Sequence, residues 1–208
     1  SMKGKFIVFE GVDGSGKTTQ LKLLGERLEQ RGYRVLYTRE PGGTPVGEAV
    51  RKILLDPKHN ELNPVAESLL YAAARAQHVA QVIKPALLEG QIVLCVRFVA
   101  SSLAYQGFAR GLSIELLEKI NELATAGLRP DLVLLLDFVS AAGLERIAGA
   151  GRAADRIEQE SLAFHRKVRD GYLTLARRDP QRYRVIDANG TIEQIHRDIL
   201  GFVEEILA

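Results

Sequence analysis

Residues Gly11-Val-Asp-Gly-Ser-Gly16-Lys17-Thr18 match the spacing G-x-x-x-x-G-K-[ST]. Each residue type has a chemical task at that spacing. The glycines let the backbone turn its N–H groups inward around a phosphate. A helix beginning near Lys17 adds its positive N-terminal end. Lys17 is suited to neutralise the β- and γ-phosphates, and Thr18 offers a hydroxyl to Mg²⁺. The stretch from Gly11 through Val12, Asp13, Gly14, Ser15, Gly16, Lys17 and Thr18 to Thr19 is therefore the expected triphosphate site. Asp13 within it is unusual. A carboxylate beside phosphates is unfavourable unless it binds a hydroxyl or a metal, so its placement implies a task. Such a loop does not name a reaction, because GTPase switches and motor ATPases carry one too. The chain has no Asn-Lys-x-Asp sequence, which argues against a guanine-reading switch.

The loop must be held by flanking elements. Lys5–Glu10 is a short apolar run rich in Phe, Ile and Val, as in a buried strand. Leu21, Leu24 and Leu28 then recur at helical spacing over Lys17–Gln30. Gly32 ends that helix, and Tyr33–Thr38 returns to strand character, which completes a βαβ opening. Further along, Glu61–Glu89 reads as one long helix, with Pro64 near its start and Pro85 bending its end. Ile92–Val96 is a third strand, and Ser113–Ala126 a helix stopped by Gly127 and Pro130. Leu132–Leu136 is apolar throughout, as a central parallel strand covered on both faces would be. Gly143–Gly149 and Arg156–Arg178 read as helical stretches around an arginine-rich turn, and Tyr183–Ile186 as a fifth strand. Thr191 and Gln194 form a capping box that opens a final helix. This alternation predicts one α/β domain over residues 1–208, a five-stranded parallel sheet with helices on both faces.

Composition narrows the partners. The 208 residues are 46% hydrophobic and 26% charged, ordinary for a globular domain. A net charge of +2 gives no reason to expect nucleic acid as a partner. No apolar run approaches the length of a membrane span. The single cysteine, Cys95, cannot form an internal disulfide and suits a reducing cytoplasm, and its apolar strand makes it a small core residue. His59, His78, His165 and His196 show no metal-ligand spacing. Ser1 ahead of Met2 reads as an expression-tag remnant.

Five segments together are more specific than the loop alone. Phe9-Glu-Gly-Val-Asp-Gly-Ser-Gly-Lys-Thr-Thr-Gln20 resembles the opening of bacterial thymidylate kinases. Thr38-Arg-Glu-Pro-Gly-Gly-Thr44, Leu70-Tyr-Ala-Ala-Ala-Arg-Ala-Gln-His78, Ser101-Ser-Leu-Ala-Tyr-Gln-Gly107 and Asp155-Arg-Ile-Glu158 follow in that family's order and spacing. The resemblance implies a P-loop kinase fold with a small lid over about 143–157. It implies transfer of the γ-phosphoryl of ATP to dTMP, giving dTDP and ADP, with Mg²⁺ as cofactor, in a cytoplasmic homodimer packed helix to helix across a two-fold.

The same resemblance assigns residue roles. Arg39, in a loop after the second strand, would grip the acceptor phosphate with its planar fork. Tyr71 and Arg75 lie four apart and share one helix face. On spacing alone Tyr71 is a core aromatic. By resemblance it stacks on thymine, where Phe is more familiar, and Arg75 hydrogen-bonds the nucleotide. Ser101, Ser102, Tyr105 and Gln106 resemble residues around the base and sugar, and Asp13 the acid that holds the 3′-hydroxyl. Arg97 would hold the acceptor phosphate and act with Lys17 in catalysis. Arg146, Arg152 and Arg156 beside Gly149 and Gly151 look like the mobile lid. The loop at Gly11–Thr18 lacks the arginine that some members carry there. Arg152 is then the first choice for a transition-state arginine, and Arg156 the second. Asp155 would orient the lid, and Asn189–Thr191 would lie near adenine.

The resemblance breaks at two acids. The family usually reads Asp-Arg-Tyr, -Phe or -His where this chain reads Val96-Arg97-Phe98, and Ala100 stands where Asp is common. Ala142, Ala150 and Ala154 also stand where larger or charged residues are expected. Loss of an outer-shell metal carboxylate costs about 10–100-fold in affinity or activity. The expectation is therefore binding with slowed turnover. The alternatives are a nucleotide-binding protein with little catalysis and a kinase for another nucleoside monophosphate.

Overall fold

The structure, a computed structural model, describes residues 3–139 and 154–208. The expected helical stretch at Gly143–Gly149, and Arg146 and Arg152 with it, lie outside the described residues. Strands β1 (Lys5–Glu10), β2 (Val35–Arg39), β3 (Ile92–Val96), β4 (Leu132–Asp137) and β5 (Tyr183–Asp187) form one parallel sheet in the order β2-β3-β1-β4-β5. The first strand is central because its apolar residues are covered on both faces. Ile7 and Phe9 face helix α1 (Lys17–Gln30), through Leu21, Leu24 and Leu28. Phe6 and Val8 face the opposite layer, against Val79, Ile83 and Leu87. Leu132–Leu136 is buried throughout, as a doubly covered strand must be. No described helix is long and apolar enough to cross a membrane.

The helices depart from expectation where side chains at their ends decide. Helix α2 (Pro45–Leu55) was not read from the sequence. Thr44 caps it by accepting the Gly47 N–H at 2.9 Å, and Pro45 occupies its first turn. The stretch 61–89 is not one regular helix. It starts at Pro64, capped by Asn63, and runs as α3 (Pro64–His78), a π turn at Val79–Ile83, and α4 (Lys84–Leu88). Pro85 lies just past that turn, in the first turn of α4. Helix α5 (Val99–Ser102) passes into a second π segment at Leu103–Ala109, and α6 (Ile114–Thr125) follows. The expected helix from Arg156 begins only at Leu162, as α7 (Leu162–Arg178) capped by Ser161. Before it, Asp155 Oδ1 accepts the N–H groups of Ile157 and Glu158 at 3.0 and 2.8 Å, and this local turn displaces helix. The last helix, α8 (Ile192–Leu207), opens with the expected capping box between Thr191 and Gln194.

Candidate active site

The sheet order reverses around β1, so a crevice opens at the carboxyl ends of β1, β2 and β3. The glycine loop fills its centre. Gly11, Gly14 and Gly16 have φ of 142°, 80° and 90°. At Gly11 no other residue fits, because a Cβ would lie 2.4 Å from the Leu136 carbonyl oxygen. Gly16 is the N-cap of α1, with no side-chain cap and no acidic residue in the first turn. The first N–H groups of α1 are thus left for an anion. Thr18 and Thr19 are exposed at this end. The Lys17 ammonium folds back onto the loop, donating to the carbonyls of Gly11 at 2.8 Å and Val12 at 2.9 Å. Burial, reinforced by nearby Arg97, pushes its pKa down to about 7.

Facing the loop, Arg97 follows β3 with a left-handed φ of 70°, a costly conformation for a residue with a Cβ. Its N–H donates to the Phe9 carbonyl at 2.8 Å. Its Nη2 donates to Asp13 Oδ1 at 2.9 Å, and its Nη1 to Ser101 Oγ at 3.1 Å and the Tyr172 hydroxyl at 3.0 Å. The guanidinium also lies over the Tyr105 ring, 5.1 Å from its centroid. Burial would raise the Asp13 carboxyl, but Arg97 and Lys17 outweigh it and hold the group below its usual range.

A cavity of about 850 Å³ joins these parts. Along it lie the loop from Asp13 to Thr19, then Arg39, Tyr71, Arg97, Ser101, Ser102, Tyr105 and Gln106, with Asp155 and Glu158 at one rim. Arg39 pairs with Glu48 at 3.2 Å. Arg51 of α2, absent from the sequence reading, adds a second guanidinium to that wall and donates to the Pro41 carbonyl at 2.9 Å. The Tyr105 hydroxyl is buried without a hydrogen-bond partner in good geometry among the described residues.

Two expected site residues do not reach the cavity. Arg75 is 2% exposed, and its donors are used inside the protein. Nε bonds Glu40 at 2.7 Å, Nη1 bonds Ser102 and Asn121, and Nη2 bonds the Phe98 carbonyl at 3.0 Å. It braces the floor of the site from beneath. Arg156 is also buried, paired with Glu67 and donating from Nε to the Leu54 carbonyl. The cause is Glu67, a buried carboxylate that needs countercharge and takes it from Arg156 and from Arg110 at 3.0 Å. Gln106 donates to the same carboxylate at 3.0 Å. Of the three expected lid arginines, Arg156 is thus held against α3, and Arg146 and Arg152 lie outside the described residues.

The two missing acids separate as well. Val96 pairs in register with Phe9 and Arg39 and lines the cavity beside the loop. Ala100 is buried elsewhere and lines a separate cavity of about 310 Å³. Only Val96 adjoins the phosphate site, so the two positions do not share one cavity. Sequence reading also missed Glu10, buried at the end of β1, and the role of His78. The latter bridges Thr38 and Glu40 with contacts of 2.7 Å each. A charged residue closing an apolar strand was the available signal for Glu10. His78 offered none, because its partners belong to β2 and the loop after it. Cys95 is a buried core residue, as expected.

The family model described as thymidylate kinase matches residues 9–199. A thymidylate kinase of Pelotomaculum thermopropionicum is 65% identical over 99% of this chain and 95% of its own length. One from Syntrophotalea carbinolica is 57% identical over 92% of each chain. The crystal structure of the thymidylate kinase from Ehrlichia chaffeensis superposes with a TM-score of 0.78 at 35% identity, covering 97% of this chain and 98% of that one. By sequence and fold, the chain belongs to the thymidylate kinase family.

Proposed function

We propose that this enzyme transfers the γ-phosphoryl group of ATP to dTMP, releasing dTDP and ADP. The observation that carries the reading is the continuous cavity from the glycine loop to Tyr71 and Gln106. Its phosphate end suits a triphosphate. Its far end combines an aromatic face with hydroxyl and amide groups, as a base and sugar require. Arg39, Arg51 and Arg97 lie between the ends, where the acceptor phosphate would sit. An oxygen of that phosphate attacks the γ-phosphorus, and the bond to the β–γ bridging oxygen breaks with its electron pair leaving on ADP. Lys17 leaves the Gly11 and Val12 carbonyls for the β- and γ-phosphates. Asp13 turns to the 3′-hydroxyl as Arg97 takes the acceptor phosphate. Arg152 supplies the transition-state guanidinium, since Arg156 is committed to Glu67.

The donors present fit Mg²⁺ only through one protein ligand. Thr18 is exposed in the uncapped first turn of α1, and the described residues include no cluster of three His, Cys, Asp or Glu able to hold a metal. Phosphate oxygens and water would complete the shell. Held there, such an ion would supply charge neutralisation for the transferred group. Val96, apolar beside Thr18's end of the cavity, leaves that shell without the carboxylate that P-loop enzymes usually supply. Turnover is therefore slow, and Val96→Asp should raise kcat by about tenfold or more. An unchanged rate in that variant rejects this part.

A homodimer is included in the proposal. Val46 and Ile53 of α2, Val65 and Leu69 of α3, and Leu116 and Leu123 of α6 are exposed on three helices packed in a row, with Leu123 84% exposed. A cytoplasmic site of action suits a nucleotide substrate and a buried, unpaired cysteine. The test is ADP release with Mg-ATP across dTMP, dUMP and dCMP. The proposal requires dTMP to be the best acceptor. A different best acceptor, or binding with no turnover for any of them, rejects it.

A further inference from the structure

Arg97 is held in part by groups that never reach the cavity. Glu10 is 0% exposed, and Tyr172 of α7 is 1% exposed. Neither lines the cleft. Yet both oxygens of Glu10 are engaged around Arg97. Oε1 accepts the N–H of Phe98, the residue after the left-handed position, at 2.6 Å. Oε2 accepts the hydroxyls of Ser101 at 2.7 Å and Tyr172 at 2.8 Å.

The Ser101 and Tyr172 hydroxyls lie 2.9 Å apart and can bond each other, but one arrangement of the hydrogens gives the buried carboxylate all of its donors. Each hydroxyl has a single proton, and the ionised carboxylate only accepts. In that arrangement Ser101 and Tyr172 both donate to Glu10, and their oxygens accept from Arg97 Nη1, which has two hydrogens to give. The contacts of 3.1 and 3.0 Å match that assignment. Glu10 thus fixes the backbone of the strained turn directly and the guanidinium through two hydroxyls. Nη2 is left aimed at Asp13 and the mouth of the loop. Burial raises the Glu10 carboxyl, and Arg97 with these hydrogen bonds works against that rise.

We infer that Tyr172 and Glu10 are positioning residues for phosphoryl transfer, setting the guanidinium of Arg97 against the acceptor phosphate. The inference rests on the reading above, in which Arg97 grips that phosphate. Tyr172 is the cleaner probe. Tyr172→Phe keeps the ring, which packs edge-on against Tyr105 at 6.2 Å, and removes only the hydroxyl. Loss of a hydrogen bond to a charged group should raise the KM for dTMP by about tenfold. The KM for ATP should stay within about twofold, since no group on the loop is altered.

The experiment is a kinetic cycle of Tyr172→Phe, Arg97→Ala and the double variant, with both KM values measured for each. The inference expects Tyr172→Phe to have no further effect once Arg97 is gone. An equal effect in both backgrounds overturns it, because Tyr172 would then act by packing alone. So does a silent Tyr172→Phe beside a strongly impaired Arg97→Ala. An unchanged dTMP KM in Arg97→Ala rejects the role of Arg97 itself, and the inference falls with it. Should Tyr172→Phe not fold, Glu10→Asp, which withdraws the carboxylate from both hydroxyls, is read in the same cycle against the same outcomes.

Discussion

Raising the pH should weaken ATP binding through Lys17 while stabilising the ligand-free protein. In the free protein this lysine has a pKa of about 7, because it is buried and close to Arg97. Phosphate oxygens in place of the loop carbonyls return it to an ordinary value near 10.4. At pH 8 the free lysine is then about 90% neutral, and each bound ATP draws in about 0.9 proton. Above pH 7.5 the phosphates of ATP are already ionised, so lysine is the titrating group. Between pH 7.5 and 9 the penalty grows from about fourfold to about a hundredfold, a net weakening of roughly 25-fold. The stability sign is opposite. The unfolded chain binds the extra proton from about pH 7 up to the ordinary lysine range. Stability of the free protein therefore rises with pH across that window. Titration calorimetry at pH 8 in two buffers of different ionisation enthalpy reads the proton count directly. Lys17→Arg, which stays charged, should abolish the buffer dependence whatever its affinity. Heat independent of buffer, or affinity flat from pH 7.5 to 9, would refute the reasoning.

Other perturbations test separate parts. Gly11→Ala forces a Cβ to within 2.4 Å of the Leu136 carbonyl at a φ of 142°, and should cost about 1–3 kcal/mol of stability and most ATP affinity. A melting curve and an ATP titration check it, and wild-type values in both would contradict the loop geometry. Glu67→Gln takes the carboxylate from buried Arg156, while Arg110 keeps Glu160, and should destabilise by about 3–5 kcal/mol in denaturant unfolding. A loss under about 1 kcal/mol would mean Arg156 finds another partner. Leu69→Glu combined with Leu123→Glu should leave a monomer by light scattering, and a persisting dimer would place the interface away from α3 and α6.

What the sequence disclosed was what local spacing encodes. The glycine loop, the apolar strands and the Thr191–Gln194 box depend on residues within a few positions of one another, and their residue types suffice. Arg75 and Arg156 read as ligand-binding arginines because their anionic partners are invisible along the chain. Glu40 lies 35 residues from Arg75, and Glu67 lies 89 from Arg156. An arginine beside a glycine-rich segment looks the same whether it waits for phosphate or is already spent on a buried carboxylate. Val96 and Ala100 looked like one lesion for a related reason. They are four apart in sequence, but the left-handed turn at Arg97 sends one toward the loop and the other beneath α6. The π segments at 79–83 and 103–109 are set by packing and leave no signature in residue type.

The bond from Tyr172 to Glu10 spans 162 residues and has a consequence for the order in which the molecule matures. During synthesis the phosphate loop emerges with the first strand, and Arg97 before the midpoint of the chain. Until α7 has emerged and docked, nothing supplies the second hydroxyl that Arg97 leans on. A nascent chain holding the first four strands therefore has a phosphate loop and an Arg97 held by Asp13 and Ser101, but not yet by Tyr172. Such a fragment, released by truncation ahead of residue 162, should fail to organise both substrates together.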